Sequence, residues 1–182
     1  WSGDPGELEG QDCYGGLDLS STTDLSAYVL AFATETDAVK FVPYLFTPEA
    51  NLYDRGLRDN APYMDWVRDG YLFATPGKTI DYQMIRATIR ESAERFKVVD
   101  ISFDRWGANQ LTQELEADRF TMVEMGQGFA SMASPTKEFL RLIVEGKLLH
   151  GGHPVLAWMA DHAAGEMNPA GDVKLAKQRS TT

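Results

Sequence analysis

The first fifty residues of the chain carry short runs of β-branched and aromatic residues that are separated by polar turns. This pattern predicts three strands, over residues 14–21, 27–34 and 39–46. The polar residues at 21–24 favour a hairpin between the first two strands. We therefore expect these first strands to pair antiparallel.

From residue 47 onward, helical and extended patterns alternate. The clearest helix covers residues 81–96, where Met84, Ile85 and Ile89 form an apolar stripe and Asp81 can cap the first turn. The other expected elements are short helices or loops at 47–60 and 61–70, a strand at 71–75, a strand at 98–103, a helix at 109–118, a strand at 119–125, a helix from Ser134-Pro135 to 145, and a helix at 153–164. This order predicts an α/β fold, with a mixed sheet of three antiparallel strands then parallel strands and with helices on both faces.

The composition is that of one soluble domain. The chain has 182 residues, of which 43% are hydrophobic and 24% charged, and it contains no apolar run long enough for a membrane helix. Its single cysteine, Cys13, excludes an internal disulfide and is expected to be a small packing residue. The first twelve residues are acidic and glycine-rich, which is typical of a linker remnant, and the last segment is expected to be a polar tail.

The charge is strongly negative but uneven along the chain. The net charge of −10 disfavours a surface that binds nucleic acid indiscriminately. Residues 1–133 hold 11 Lys/Arg and 22 Asp/Glu, whereas residues 134–182 hold 6 and 5. Any polyanion should therefore contact a local patch in the last fifty residues, unless these cations are only solvated surface groups. The candidate cations are Lys137, Arg141, Lys147, Lys174, Lys177 and Arg179.

Two aspartates stand out against the strand pattern. Asp18 lies inside the first expected strand, where Asp is rare, and Asp104 follows the strand at 98–103. Functional groups in open α/β sheets tend to lie at the carboxyl ends of strands. If these two strands are neighbours, the two carboxylates face each other, and a hard cation such as Mg²⁺ or Mn²⁺ would relieve their repulsion. Two such ions can assist hydrolysis of a phosphodiester.

The spacing of these aspartates also allows a purely structural interpretation. Asp18 can accept hydrogen bonds near Ser20 and Thr22, and Asp104 can pair with Arg105 at the surface. Asp24 is either a turn cap or a neighbour of the metal site. Among the later acids, Asp161 and Asp172 are the candidates for a further metal ligand.

Several longer stretches resemble a known family. The stretches are "CYGGLDLSSTTDLSAYVL", "FDRWGANQL", "MGQGFASMASPTKEFLRLIVEGKLLHGGHPVLAWM" and "GDVKLAKQRST", and they extend over nearly the whole chain. They resemble the nuclease domain of the large terminase subunit of tailed bacteriophages. The resemblance implies an RNase H-like fold and a metal-dependent endonuclease that cuts concatemeric double-stranded DNA with two Mg²⁺ or Mn²⁺ ions. It assigns metal-binding, catalytic roles to Asp18 and Asp104.

The same resemblance sets expectations for domains and partners. It implies a linker remnant at 1–12, a nuclease domain at 13–166 and a polar tail at 167–182 that stops before the family's third acidic residue, so that this chain would be weakly active or inactive. No GxxxxGK[ST] loop is present, so the packaging ATPase domain is expected to be missing. The implied partners are viral DNA, the portal protein, the small terminase subunit and that ATPase domain. The implied location is the host cytoplasm and, transiently, the procapsid portal, and no membrane is expected to take part. A homo-oligomer is expected only for the full-length motor.

Two other functions remain open at this point. The chain could be another RNase H-like nuclease, such as a resolvase or an integrase, which would need the same acids and prefer branched DNA. It could instead be a non-catalytic module that docks on DNA or on the portal, whose binding would be indifferent to EDTA and to Asp18→Asn.

Overall fold

A mixed sheet of seven strands forms the centre of the computed structural model, which describes residues 1–20, 24–104 and 109–176. The spatial order of six strands is β4-β3-β2-β1-β5-β6, and β7 pairs with β3 outside this path. The strands are β1 Asp12–Asp18, β2 Ser26–Ala33, β3 Val39–Pro48, β4 Phe73–Thr75, β5 Lys97–Phe103, β6 Met122–Glu124 and β7 Leu148–Leu149. The pairs β1·β2 and β2·β3 are antiparallel, whereas β4 and β7 on β3, β5 on β1 and β6 on β5 are parallel.

Among the described residues, six α-helices pack around this sheet. They are α1 Leu52–Asp59, α2 Tyr63–Arg68, α3 Tyr82–Arg95, α4 Asn109–Ala117, α5 Phe129–Val144 and α6 Pro154–Asp161. On one face, α3 and α4 pack on the alternate residues of β1 and β2 that point inward. On the other face, α1, α2 and α6 pack around Leu45 of β3. The expected α/β fold, with antiparallel then parallel strands and helices on both faces, is confirmed.

The alternation of small and large residues explains how β1 fits in the centre of the sheet. Cys13, Gly15 and Leu17 are buried on the face under α3, whereas the residues between them are exposed on the opposite face. Burial raises the pKa of the Cys13 thiol to about 11, which agrees with the expected packing role of this cysteine. One face of β1 therefore serves the core, and the other is open to solvent.

The helix at 81–96 is confirmed with its cap. α3 begins after Asp81, whose carboxylate accepts a hydrogen bond from the backbone N–H of Gln83 at 2.9 Å. Ile85 and Ile89 are fully buried against the sheet. The amphipathic spacing thus gave both the position and the inward face of this helix.

The prediction that a helix starts at Ser134-Pro135 is wrong. α5 begins at Phe129 after Gly128, so that Pro135 is the seventh residue of the helix rather than its first. Proline removes one backbone donor and crowds the preceding turn, but the surrounding helix keeps its other hydrogen bonds. Ser followed by Pro is a pattern typical of a helix start, but α5 begins about a turn and a half earlier, where Phe129 contacts Lys174 near the C-terminal end of the described chain.

The segment that we expected to be a polar tail contains regular structure in the part that is described. Residues Gly165–Met167 (β8) and Val173–Leu175 (β9) form an antiparallel hairpin. At the other end of the chain, Pro5–Leu8 forms a short 3-10 helix, and Leu8 is buried in the core cluster under α3. The first strand is shorter than expected, since it ends at Asp18, and residues 21–23 lie outside the described part. In the described residues, no helix is both long and apolar enough to cross a membrane.

Candidate functional site

The carboxyl ends of two neighbouring parallel strands carry the two aspartates singled out in the sequence. Asp18 is the last residue of β1, and Asp104 directly follows Phe103, the last residue of β5. Leu17 and Phe103 are paired in the parallel ladder between these strands. Adjacent strands lie about 5 Å apart, so the backbones of Asp18 and Asp104 are separated by about one strand spacing. This juxtaposition is the centre of the candidate site.

The face on which Asp18 lies is set by the alternation along β1. Leu17 is buried in the core, so Asp18 points to the opposite face, where it is exposed. Across the antiparallel pair, Asp18 lies opposite Ala27 of β2. Asp104 is partly buried. A carboxylate in such a position is accessible to a cation from solvent, which a core position would not allow.

A third strand ends at the same edge with an acidic residue that the sequence analysis did not single out. Glu124 is the last residue of β6 and pairs with Phe103. The following loop is tied to β5, because the backbone N–H of Met125 donates to the carbonyl of Phe103 at 2.8 Å. Yet within residues 1–20, 24–104 and 109–176 no three His, Cys, Asp or Glu side chains are grouped so that they could hold a metal ion. Glu124 therefore does not complete a triad with Asp18 and Asp104.

Asp24 and Asp172, the two acids considered as neighbours of the metal site, lie in different surroundings. Asp172 closes the turn between β8 and β9, where its carboxylate accepts from the Asn168 side chain at 3.1 Å and its backbone N–H donates back to Asn168 at 2.9 Å. Asp24 lies just before β2, at the rim of a cavity of about 350 Å³. The turn explains Asp172 without a ligand, whereas Asp24 is among the residues that line this cavity.

Two of the candidate DNA-binding cations are held by carboxylates. Arg141 donates to Glu138 at 2.6 Å and to Asp37 at 3.1 Å, and Lys147 also binds Asp37, at 3.2 Å. The hydrogen bond from Lys147, together with Arg141, holds the pKa of Asp37 below its ordinary range. These two cations are therefore largely neutralised, which weakens the case for a basic patch at this end of α5.

The other candidate cations differ in how far the structure describes them. Lys137 is exposed on α5. Lys174 of β9 lies 3.6 Å from Glu166 and 5.0 Å from the centre of the Phe129 ring, and its amine is 3.5 Å from the carbonyl of Gln127. Lys174 thus joins the hairpin to the loop that follows β6, next to the ends of the central strands. Lys177 and Arg179 lie outside the described residues.

Comparison with known proteins assigns the family. The family model of the terminase large subunit endonuclease domain matches residues 2–182. The chain belongs to this family. It is 37% identical over 170 residues to the large terminase subunit of Enterobacteria phage HK97, and 25% identical over 184 residues to protein YmfN of Escherichia coli strain K12. The crystal structure of the HK97 bacteriophage large terminase matches with a TM-score of 0.87 and 36% identity over 97% of this chain.

The chain covers only part of the length of these terminase relatives. The alignments include 92% and 96% of this chain but 34% of the HK97 subunit and 40% of YmfN. The matched crystal chain is covered to 38%. The likeness to that structure confirms the expected RNase H-like fold, in which β1 and β5 are parallel neighbours.

Proposed function

We propose that this terminase domain is a divalent-metal-dependent endonuclease that hydrolyses phosphodiester bonds of concatemeric double-stranded viral DNA during genome packaging. The observation that supports this most directly is the position of Asp18 and Asp104 at the ends of paired parallel strands in a chain of the terminase endonuclease family. We propose that the domain acts in the host cytoplasm, where it lies transiently at the procapsid portal.

The chemistry of these residues fits hard divalent ions. Mg²⁺ and Mn²⁺ prefer carboxylate oxygens and usually retain several waters, which leaves positions for a phosphate. Asp18 and Asp104 supply such oxygens from two strands of a rigid sheet, and we propose that they hold the ions. Two bound ions would supply an activated water and stabilise the charge that develops on the phosphate. Asp24 and Asp172 remain candidates for neighbours of this site.

The proposed role of the sheet is to fix the distance between the carboxylates. Asp18 is held from both sides, since β1 pairs with β2 and with β5, whereas Asp104 is held through the ladder that ends at Phe103. Groups on strands keep their geometry better than groups on loops, so little reorganisation is needed when an ion binds. DNA would be contacted mainly through phosphates, which carry no sequence information. The proposed partners are the portal protein, the small terminase subunit and a packaging ATPase domain.

The test is nicking of a supercoiled plasmid in Mn²⁺ by a chain extended past Thr182 and by its Asp18→Asn and Asp104→Asn variants. Each change removes a charged ligand, and we expect a loss of at least about a hundredfold in rate, because metal stabilisation of the transition state amounts to several kcal/mol. Asp12→Asn is the matched control, since Asp12 is exposed on the same strand and face and pairs only weakly with Lys97, at 3.9 Å. Equal cutting by Asp18→Asn and the wild type would refute the proposal.

A second readout does not depend on activity. Mn²⁺ that binds the folded state raises the melting temperature in proportion to the logarithm of its concentration. We expect this rise for the wild type and for Asp12→Asn, and a much smaller rise for Asp18→Asn. Binding of DNA or portal that is unchanged by EDTA and by Asp18→Asn, without cutting, would instead support the docking function.

A further inference from the structure

The residue two positions after Asp18 is held by side chains at both of its backbone polar groups. The backbone N–H of Ser20 donates to Oγ of Ser26 at 2.9 Å, and the carbonyl of Ser20 accepts a hydrogen bond from the hydroxyl of Tyr82 at 3.0 Å. Ser26 is the first residue of β2 and is fully buried, and Tyr82 is the first residue of α3. A strand and a helix therefore hold the same short backbone segment beside the candidate site.

Asp18 itself lies where the regular pairing of β1 stops. The ladder between β1 and β5 ends at the pair of Leu17 and Phe103. The ladder between β1 and β2 ends one residue later, at the pair of Asp18 and Ala27. A residue at the end of a strand lacks the ladder pairing on its far side that holds an interior residue. The two hydrogen bonds of Ser20 fix the backbone on that far side, so Asp18 is held between the ladder and Ser20.

The residues on either side of Asp18 determine the face on which its carboxylate lies. Leu17 is buried in the core cluster under α3, and Leu19 packs against the same cluster, as does Tyr82. Successive side chains of an extended chain point to opposite faces, so the carboxylate between these two leucines points away from the core, where Asp18 is exposed. Tyr82 lies on the core side, and its link to Asp18 runs through the backbone of Ser20.

The hydroxyl of Tyr82 is carried by a helix start that is itself well fixed. The carboxylate of Asp81 caps α3 by accepting from the backbone N–H of Gln83 at 2.9 Å, and the N–H of Asp81 donates to Oγ1 of Thr75 at 3.2 Å. Thr75 is fully buried at the end of β4, and Ile85, in the first turn of α3, is fully buried as well. The position of the Tyr82 hydroxyl is therefore set by the core of the domain.

We propose that Tyr82 is a positioning residue for DNA cleavage, which, together with Ser26, holds Ser20 and so keeps the carboxylate of Asp18 oriented for a divalent ion. This inference rests on the proposed function. Groups that orient a metal ligand typically contribute about ten- to a hundredfold to metal affinity or activity. A site whose ligands are loosely supported loses its productive geometry. Removal of the Tyr82 hydroxyl should therefore weaken metal binding although every carboxylate is still present.

The experiment measures plasmid nicking by the chain extended past Thr182 over a series of Mn²⁺ concentrations. Tyr82→Phe removes only the hydroxyl and keeps the ring. Tyr28→Phe is the matched control, because the hydroxyl of Tyr28 also joins the sheet to α3, through a hydrogen bond with Ser92 at 3.1 Å, but in the C-terminal half of that helix. We expect the Mn²⁺ concentration for half-maximal cutting to rise about tenfold in Tyr82→Phe and to stay unchanged in Tyr28→Phe. High Mn²⁺ should restore most of the cutting rate of Tyr82→Phe but not that of Asp18→Asn, which has lost a charged ligand.

Ser26→Ala is a second variant, because it removes the other hydrogen bond of Ser20. We expect it to raise the Mn²⁺ concentration for half-maximal cutting in the same direction. The rise in melting temperature that a fixed concentration of Mn²⁺ causes should be smaller in Tyr82→Phe and in Ser26→Ala than in Tyr28→Phe. Melting temperatures without metal show how much stability each variant has lost, so that weaker metal binding is not confused with partial unfolding.

The inference is overturned if Tyr82→Phe cuts with the same Mn²⁺ dependence as the wild type. If Asp18→Asn has lost cutting in that experiment, the proposed endonuclease stands without this role for Tyr82. An equal shift of the Mn²⁺ dependence in Tyr82→Phe and Tyr28→Phe also overturns the inference, because any weaker contact between the sheet and α3 would then disturb the site. A wild type that neither cuts nor melts at a higher temperature in Mn²⁺ would remove the proposed function and this inference together.

Discussion

Two adjacent glycines in β1 should respond in opposite ways to the same substitution. A methyl group on Gly15 would lie 3.0 Å from Cγ1 of Ile101 and 3.2 Å from Cε2 of Tyr28. A methyl group on Gly16 would meet nothing closer than the carbonyl oxygen of Val29, at 3.9 Å. The two positions share a strand and differ only in the face of the sheet to which they point. Gly15→Ala and Gly16→Ala are therefore matched variants.

The atoms that crowd Gly15 cannot move away easily. Tyr28 is fully buried, its hydroxyl is hydrogen bonded to Ser92 at 3.1 Å, and its ring stacks on Tyr44 at 5.7 Å between centroids. Ile101 is also fully buried. Overpacking of such a site costs about 1–3 kcal/mol. Replacing Gly by Ala gains about 0.5–1 kcal/mol by restricting the unfolded chain. The expected net result is a loss of about 1–2 kcal/mol for Gly15→Ala and a gain of about 0.5 kcal/mol for Gly16→Ala.

The assay is thermal unfolding of the two variants at the same pH and salt concentration. In a chain of this size, 1 kcal/mol shifts the melting temperature by about 2–4 °C, so the two variants should differ by about 4–8 °C. As a control, the circular dichroism spectra of both variants should match the spectrum of the wild type. Equal melting temperatures, or a higher one for Gly15→Ala, would show that the core beneath β1 is looser than the structure indicates.

Two further predictions concern charged groups. Burial, with a smaller effect from His150, lowers the pKa of His153 to about 4, so the unfolded chain binds a proton below its ordinary value of 6.5 while the folded chain does not. The free energy of unfolding should therefore fall by about 1–2 kcal/mol between pH 6.5 and 4, relative to that of His153→Asn, whose side chain can cap α6 but does not titrate. Urea unfolding measures this quantity for both proteins. The same pH dependence in both would contradict the prediction. Arg86 donates to Asp118 at 2.7 and 2.8 Å and so joins α3 to the end of α4, and the hydrogen bond lowers the pKa of Asp118. Arg86→Met should melt at a lower temperature than the wild type at neutral pH. The difference in melting temperature should shrink below pH 3.8, the ordinary pKa of Asp118, because the protonated carboxyl no longer pairs with Arg86. A difference in melting temperature that stays constant down to pH 2 would refute this role.

The elements that the sequence predicted well are those whose own residues specify them. α3 has a cap at Asp81 and an apolar stripe, and β5 has a run of β-branched residues, so local pattern was enough. β7 contains only Leu148 and Leu149 and exists because these residues pair with Val39 and Lys40. Likewise, the hairpin of β8 and β9 packs against α5 rather than following a strong pattern. Short strands depend on partners that are distant in the sequence, and one sequence does not reveal them.

The candidate site divides in the same way. The positions of Asp18 and Asp104 at the ends of neighbouring strands could be predicted, because an acid at the end of a strand run stands out from the apolar pattern before it. Their roles as metal ligands stay predictions. The burial of Arg55 could not be predicted, because an arginine in "YDRGLRDN" has the composition of a solvated helix face, and its burial arises only in the packed structure. The residues at 105–108 and 177–182, which include Lys177 and Arg179, lie outside the described part, so their predicted roles stay predictions.

The alternation along β1 separates stability from chemistry residue by residue. Gly15 and Leu17 contact the core, whereas Gly16 and Asp18 are exposed on the opposite face of the sheet. Gly15→Ala should therefore change the melting temperature measured without metal but not the rise in melting temperature that Mn²⁺ causes. Asp18→Asn should reduce that rise and change the melting temperature without metal little. If both substitutions changed both the melting temperature and the effect of Mn²⁺ equally, strain would pass from one face of the sheet to the other. The geometry of the carboxylates would then depend on the packing of the core.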